Sequence, residues 1–349
     1  MSGQNRTDGS RGFALVELAA IVAVAAVLMA LIAVTGVESR RQARLGDDIA
    51  NLRRIAEWTG AYANDNTDLF WSFSWKKGYN QSQWPDLNAA AQTNDLGAAA
   101  AQAIDILRRR AGRTDIQVIT AWIPHVLFGH LALLDYTGGP MPELTMISSM
   151  DKFRLSWARD PSGYDQGLYT PNPGLGNTGK RWPYSASFQM STAFFDSTAL
   201  ASDRITQNTN QSIFLVPGNA LLGARSHADA AFPAHKVLLH DSNARHFGTR
   251  MPYCTQDQAR LPLLFVDGSV SVRGASESNP GWVPNSPSNG LASQFQYQPN
   301  AWDPPTTTGA PSELVNGRFR WTRGTTTMHG VAGRDFGGRE TCSGQPQCP

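Results

Sequence analysis

The strongest pattern in the sequence is an unbroken apolar run over residues 18–34, which contains no polar side chain. A helix over residues 13–37 would be about 37 Å long at about 1.5 Å per residue, and the hydrocarbon core of a bilayer is about 30 Å thick. A secretory signal peptide would have a shorter apolar core followed by a small-residue cleavage site. Residues 13–37 are therefore predicted to form a transmembrane helix.

The helical pattern continues beyond the apolar run. Ile49, Leu52 and Ile55 recur at helical spacing, and the pattern stops at Asn64. We therefore predict one long helix over residues 13–64. The mean hydropathy of the chain is −0.32 despite the apolar run, so the remainder is predicted to form a soluble head.

The head, residues 65–349, is predicted to be α+β and rich in loops. Residues 87–113 have the pattern of a helix, while residues 116–119, 213–216 and 236–240 are apolar runs of strand length.

A hairpin is predicted around Asp267 and Gly268, which lie between two strand-like runs. An Asp-Gly pair tolerates the positive φ values that a two-residue hairpin turn requires. The hairpin indicates an antiparallel sheet. Residues 278–312 are rich in Pro, Asn, Ser and Thr and are predicted to form a long surface loop.

Five aromatic residues follow the predicted end of the long helix: Phe70, Trp71, Phe73, Trp75 and Trp84. Aromatic side chains at this density can form a binding surface. They can also fill the joint between a long helix and the sheet it supports. We favour the joint, because Trp and Phe dominate protein cores.

Composition narrows the range of functions. The 349 residues carry a net charge of +2, and the basic residues are scattered among acidic ones, so no nucleic-acid partner is expected. No nucleophile, base and orienting group occur at a spacing that indicates an active site, so we do not expect an enzyme. No cofactor is expected.

The chain has three cysteines, Cys254, Cys342 and Cys348. Gly and Pro between Cys342 and Cys348 permit the tight turn that a disulfide needs. The bond also requires an oxidising compartment, so the bonded and the reduced states both remain open. A metal site would need more ligands at regular spacing.

Three histidines and an aspartate around a predicted strand suggest zinc ligands: His235, His240, Asp241 and His246. His235 and His240 are an odd number of positions apart, so on one strand they would lie on opposite faces. We therefore predict no metal site, and the role of these histidines stays open.

Residues 174–180 contain glycines spaced as in nucleotide-binding loops. Both such motifs require a buried strand before the glycines and a helix after them, and prolines flank this segment instead. Arg181 also stands where a phosphate-binding loop has Ser or Thr. A surface loop is the better interpretation.

Residues 12–17, Gly-Phe-Ala-Leu-Val-Glu, directly precede the apolar run. They resemble the cleavage and methylation motif of type IV pilins and type II secretion pseudopilins. The resemblance implies that residues 1–12 are a cytoplasmic leader removed after Gly12 by prepilin peptidase. It also implies that the amine of Phe13 is then methylated and pairs with Glu17 of a neighbouring subunit during assembly.

Two further segments resemble the pseudopilin-like proteins of planctomycetes. Residues 51–55, Asn-Leu-Arg-Arg-Ile, lead to Tyr-Ala-Asn-Asp-Asn at residues 62–66, as in the stalk of that family. The Asp267-Gly268 hairpin resembles its C-terminal element. In the family a histidine often precedes the aspartate, but here Asp257 stands at that position, and the nearest candidate is His246.

The resemblance implies a pilin-like fold and a specialised or minor subunit of a type IV pilus-like or type II secretion filament. It places a single-pass protein in the inner membrane with its head outside the cytoplasm. The alternative is a membrane-tethered binding protein or adhesin. Arg40, Arg41 and Arg44 follow the span and would favour the reverse orientation, so the orientation follows from the leader alone.

Overall fold

The computed structural model describes residues 15–119, 126–174, 176–195, 206–207, 214–215, 223–248, 251–254, 256–279, 295–296, 314–315, 318–319, 324 and 330–338. Side chains are described for all of these residues except 15, 16, 30–35, 126, 192, 206–207, 214–215, 295–296, 314–315 and 318–319. The chain divides into two compact units, residues 1–44 and residues 45–349.

The first helix, α1 (Leu15–Asp65), contains 51 residues and ends one residue beyond the predicted end. Two consecutive residues after it, Thr67 and Asp68, have positive φ values of 53° and 62°. The Asn66 side-chain amide donates to the Tyr62 carbonyl at 2.8 Å and to the Tyr136 hydroxyl at 3.0 Å. These bonds fix the end of the helix.

The predicted helix over residues 87–113 is in fact two helices. Asn94 separates them, because its side-chain oxygen accepts a hydrogen bond from the Gly97 amide and caps the second helix. The described α-helices after α1 are α2 (Pro85–Ala91), α3 (Asp95–Ala111), α4 (Leu134–Thr137), α5 (Lys152–Arg159) and α6 (Pro161–Asp165).

Short 3-10 helices connect many of the longer elements. They span Val126–Leu133, Leu144–Met146, Gly179–Tyr184, Thr192–Phe195, His227–Asp229, Pro233–His235, Ala275–Glu277 and Gly330–Ala332.

The main sheet is antiparallel and has four strands in the order β1-β4-β5-β6. This arrangement confirms the predicted α+β class. The described strands are β1 (Phe188–Met190), β2 (Thr206–Gln207), β3 (Phe214–Leu215), β4 (Val237–Asp241), β5 (Arg260–Phe265), β6 (Val270–Gly274), β7 (Phe295–Gln296), β8 (Leu314–Val315) and β9 (Arg318–Phe319). Strands β2 and β3 form a separate pair, and β7, β9 and β8 form a small third sheet.

The predicted hairpin is present between β5 and β6, but its turn differs from the prediction. The Phe265 carbonyl accepts from the Gly268 amide at 3.0 Å, and the Phe265 amide donates to the Ser269 carbonyl at 2.9 Å. These bonds close a loop of three residues, in which Gly268 alone has positive φ, at 82°. The prediction of a two-residue turn was therefore wrong, because Val266 also belongs to the loop.

The predicted strand over residues 116–119 is absent. Ile116 is buried, and its carbonyl accepts from Nε and Nη2 of Arg108 at 2.9 and 2.8 Å. A side chain thus satisfies the carbonyl that a neighbouring strand would otherwise use. Of residues 213–216, the structure describes two, which form β3.

The main core lies between α1, α3 and the sheet. Leu52 and Ile55 of α1 are fully buried there, together with Phe70 and Trp71. Phe73 is also buried in this core, whereas Trp75 and Trp84 are half-buried and pack against it. Three of the five aromatic side chains therefore share a core with α1, as favoured from the sequence. A second, smaller core packs on the other face of the sheet around Leu261, Leu263, Phe265 and Phe336.

Candidate functional site

The first part of α1 presents apolar side chains to the outside. Eight of them are between 53% and 64% exposed: Leu18, Ile21, Val22, Val24, Val27, Leu28, Met29 and Val37. Apolar surface of this extent marks a site where lipid or another protein binds. Glu17 is exposed in the first turn of α1, where a negative charge interacts favourably with the helix dipole.

Among the residues that the structure describes, no helix combines the length and the apolarity of a membrane span.

Several predicted features lie outside the described residues. These are the leader with Gly12 and Phe13, the cysteines Cys342 and Cys348, and most of the predicted loop over residues 278–312.

The second part of α1 is anchored in the head through one stripe of side chains. Leu45, Leu52 and Ile55 are buried at helical spacing, and the Thr59 hydroxyl donates to the Ile55 carbonyl at 2.7 Å. Asp48 lies in the same stripe and is also fully buried. A carboxylate in an apolar stripe requires hydrogen-bond partners.

Asp48 has such partners from two distant parts of the head. Its Oδ2 accepts from the Ser148 hydroxyl at 2.5 Å and lies 2.7 Å from Nε2 of His246. Its Oδ1 accepts from the Ser149 amide at 2.7 Å. The carboxylate therefore fastens α1 both to the segment before α5 and to the segment after β4.

Asp151, which caps α5, is the centre of the adjoining contacts. Its Oδ2 lies 2.7 Å from Nη1 of Arg154 and 2.9 Å from Nη2 of Arg245. The Ser187 hydroxyl donates to the same oxygen at 2.9 Å. Arg245 also reaches Asp241 at the end of β4, with 2.8 Å between Nε and Oδ2.

We refer to Asp48, Asp151, Arg154, Asp241, Arg245 and His246 as the ionic cluster. Burial raises the pKa of the Asp151 carboxyl, but the charges of Arg245 and Arg154 outweigh it, and the pKa falls to about 2. Burial raises the pKa of Asp241; Arg245 opposes this shift, while the charges of Asp151 and Asp48 add to it. The two carboxyls are therefore shifted in opposite directions.

The ionic cluster does not have the geometry of a hydrolase site. Asp48 lies between Ser148 and His246, so the imidazole contacts the carboxylate and not the hydroxyl, whereas a triad requires the histidine in the middle. Asp48, Ser148 and His246 are also at most 2% exposed. The cluster holds segments of the chain together.

The predicted histidine candidates separate in the structure. His246 belongs to the ionic cluster, whereas His235 is half-buried in a 3-10 helix before β4. His240 is buried in β4 with its Nδ1 3.0 Å from the Asp241 carbonyl, and burial lowers its pKa. Within the described ranges, no three His, Cys, Asp or Glu side chains are placed to hold a metal ion.

The hairpin turn lies beside α1. A Cβ atom on Gly268 would be 4.0 Å from the Cβ of Ala56. Asp267 points its Oδ1 to the amide and the hydroxyl of Ser269, at 2.9 and 2.6 Å. The two segments that resemble the planctomycete family, the stalk and the hairpin, therefore meet at this point.

The glycine-rich residues 174–180 lack the context of a nucleotide-binding loop. They follow a non-strand segment and lead into the 3-10 helix Gly179–Tyr184, whereas a nucleotide-binding loop leads from a strand into the N-terminus of an α-helix. The loop interpretation is confirmed for the described part of this segment.

A groove of about 570 Å³ lies between α1 and the segment over residues 137–145. Arg54, Glu57 and Trp58 form its α1 side, and Leu144, which is 41% exposed, lies on the opposite side. The groove is lined by positive, negative and apolar side chains, a combination that is also found in ligand-binding and peptide-binding sites.

Comparisons with family models, with curated proteins and with solved structures find no match. The sequence motif and the geometry above are therefore the basis for assigning a function.

The ionic cluster was not predicted from the sequence. One signal for it was visible, because Asp48 occupies a position in the stripe of Leu45, Leu52 and Ile55 where an apolar residue is expected. Its partners lie at residues 148 and 246, and spacing along the chain does not indicate such distant contacts.

Proposed function

We propose that this protein is a structural subunit, specialised or minor, of a type IV pilus-like or type II secretion filament. Prepilin peptidase would remove residues 1–12 and the new amine of Phe13 would be methylated. The subunit would wait in the inner membrane with its head outside the cytoplasm, and other pilin or pseudopilin subunits would be its partners in the filament.

The observation that carries this proposal is the contrast within α1. The eight large apolar side chains described in its first part are more than half exposed, whereas Leu52 and Ile55 in its second part are fully buried in the head. Covering exposed apolar surface with lipid or with a second apolar helix is favourable by about 25 cal/mol per Å². In a filament subunit, lipid would cover this surface before assembly and neighbouring subunits would cover it afterwards.

The motif at residues 12–17 supports the same proposal, and the mature N-terminus tests it. Mass spectrometry of the protein purified from its own cells should show a chain that begins at methylated Phe13. Gly12→Val should block this processing, while Gly9→Val, a matched change inside the leader, should not. A mature protein that keeps residues 1–12 would contradict the assignment.

Assembly needs a separate test, because a processed subunit can still remain in the membrane. A tagged copy should be found by immunogold labelling in fibres sheared from the cell surface or in a pseudopilus. Processed protein found only as dispersed membrane protein would contradict the filament proposal.

A second candidate is a membrane-tethered binding protein or adhesin. The groove between α1 and residues 137–145 favours it, since a pure structural subunit needs no cavity of about 570 Å³. Substitution of Leu144 by Asp would then abolish ligand or surface binding without affecting fibres. If the protein is only a filament subunit, this substitution should not change binding to a ligand or a surface.

A further inference from the structure

Strand β6 lies at one end of the main sheet. Among the strands that the structure describes, β5 is its neighbour on one side and none pairs with it on the other. Strand β1 lies at the opposite end, but all three of its residues are buried, so other segments cover it. In β6, Arg273 is exposed and the other four residues are half-buried. Strand β6 is therefore the open edge of the main sheet.

The ladder between β5 and β6 shows which backbone groups of β6 point outward. The Phe265 amide donates to the Ser269 carbonyl at 2.9 Å, and the Ala275 amide donates to the Ala259 carbonyl at 2.7 Å. Hydrogen-bonded and non-hydrogen-bonded pairs alternate along an antiparallel ladder. The odd-numbered residues of β6 therefore bond to β5, and the backbone groups of the even-numbered residues point away from it.

The outward groups of β6 belong to Val270, Val272 and Gly274. The Gly274 amide donates to Oε1 of Glu277 at 3.2 Å. Within the described part of the chain, the amide and the carbonyl of Val270 and of Val272 have no hydrogen-bond partner. Valine is also a residue that favours strands. The edge thus offers two donors and two acceptors, in the order that a further strand requires.

A second copy of β6, running antiparallel, satisfies all four of these groups. If Ser271 of one copy faces Ser271 of the other, Val270 of each copy lies opposite Val272 of its partner. The outward groups of the two strands then meet, so each of these two valine pairs exchanges two hydrogen bonds. The same edge serves both copies, as in a twofold-symmetric interface. The two main sheets become one continuous sheet.

The charges beside the edge also fit a second copy. A charged residue such as Arg273 on an edge strand normally discourages strand pairing. In this register, however, Arg273 of one copy lies opposite Ser269 of the other, and the two guanidinium groups do not face each other. The diagonal position is next to the turn with Asp267, which is exposed, and a long side chain can reach a diagonal neighbour. The second copy therefore supplies the negative charge that Arg273 needs.

We propose that two copies of this protein pair through the edge of β6, with Ser271 at the twofold axis. The contact between two strand edges is small, so the dimer is weak and forms most readily where the protein is concentrated. A twofold interface is closed and does not extend into a fibre. The pairing goes beyond the filament proposal and does not depend on it, because β6 lies within the head.

Mild oxidation of the full chain in detergent tests the register. A non-hydrogen-bonded antiparallel pair has its Cα atoms about 4.5 Å apart, within the range of about 4.4–6.8 Å that a disulfide accepts. In a chain that carries Cys342→Ser and Cys348→Ser, Ser271→Cys should form a disulfide-linked dimer. Ser276→Cys places a thiol at an exposed position outside β6 and should give at least tenfold less dimer. Equal yields from the two variants would overturn the proposal.

A second substitution tests the backbone bonds. The Val272 amide points away from β5, so Val272→Pro removes an outward donor without breaking the ladder to β5. Added to Ser271→Cys, it should lower the yield of dimer at least tenfold, whereas Val272→Thr keeps the donor and should not. Circular dichroism shows whether the head is folded. An unchanged yield in a folded proline variant would overturn the proposal. If the proline variant does not fold, the comparison of Ser271→Cys with Ser276→Cys decides.

Discussion

Nζ of Lys236 lies 3.0 Å from Oδ1 of Asp335, and both side chains are completely buried. The second oxygen of Asp335 accepts from the Val237 amide at 2.9 Å. One carboxylate therefore holds the first residue of β4 and the lysine before it. The segment over residues 330–338 is attached to the main sheet through this pair.

The Lys236 and Asp335 pair should be costly to break. Asp335→Ala leaves a buried ammonium without its carboxylate, and we expect the free energy of unfolding to fall by about 3–5 kcal/mol. Asp135→Ala is the matched control, because it removes a carboxylate from an exposed pair with Arg110 and should cost at most about 1 kcal/mol. Denaturant titration measures both. Equal losses would mean that burial does not set the strength of these pairs.

The turn glycine of the hairpin should not tolerate a side chain. Gly268 has φ of 82°, so we expect Gly268→Ala to destabilise the head by about 1–2 kcal/mol. Gly60 lies in α1 with open space at its Cβ position, and Gly60→Ala should stabilise by about 0.5–1 kcal/mol. The two substitutions are chemically identical, so opposite signs in thermal or denaturant unfolding would report backbone conformation alone. A gain in stability from Gly268→Ala would contradict the turn described here.

Two leucines of α1 should respond differently to truncation. Leu52 is fully buried, whereas Leu18 is 56% exposed. Leu52→Ala should lower the free energy of unfolding by about 2–5 kcal/mol, and Leu18→Ala by less than about 0.5 kcal/mol. Denaturant unfolding with a probe in the head distinguishes them. If Leu18→Ala unfolded the head as readily as Leu52→Ala, the division of α1 into an outer and an anchored part would be wrong.

The elements that could be predicted from the sequence are those with a local cause. The periodicity of Ile49, Leu52 and Ile55 located the anchored part of α1, and β4 and the Asp-Gly hairpin were located by apolar runs and turn residues. The break at Asn94 and the missing strand at residue 116 were not predicted. In both cases a side chain bonds to the backbone, Asn94 to Gly97 and Arg108 to Ile116, and such bonds override an apolar or helical pattern.

The ionic cluster was beyond sequence reasoning for a different reason. Its contacts join residues about 100 and 198 positions apart, as between Asp48 and Ser148 or His246. Periodicity reports which face of an element is buried, but not which distant residue covers it. The sequence offers His246 only as the nearest candidate for the histidine that precedes the hairpin, and its contact with Asp48 is visible only in the folded structure.

Acid should destabilise the head before it protonates the paired carboxylates. Burial lowers the pKa of His130 to about 3, so the folded state keeps this ring neutral while the unfolded chain protonates it below about pH 6.5. Stability is therefore complete above pH 6.5 and is lost as pH falls toward 3, by up to about 1.4 kcal/mol per pH unit. His130→Leu should flatten the pH dependence of the free energy of unfolding between pH 6.5 and 4. If His130→Leu left this pH dependence unchanged, groups other than His130 would be responsible for the acid sensitivity.

Glu17 should matter for assembly and not for folding. It is exposed at the start of α1, and the resemblance to pilins implies that it pairs with the Phe13 amine of a neighbouring subunit. We expect Glu17→Ala to leave membrane insertion and the stability of the head unchanged, while its incorporation into fibres falls at least tenfold. Glu38→Ala removes an exposed carboxylate from the same helix, where it pairs with Arg41 and Gln42, and should assemble normally. Fractionation followed by immunoblotting of sheared fibres measures both steps. Normal assembly of the Glu17→Ala subunit would contradict the pairing of this carboxylate with the amine of the next chain.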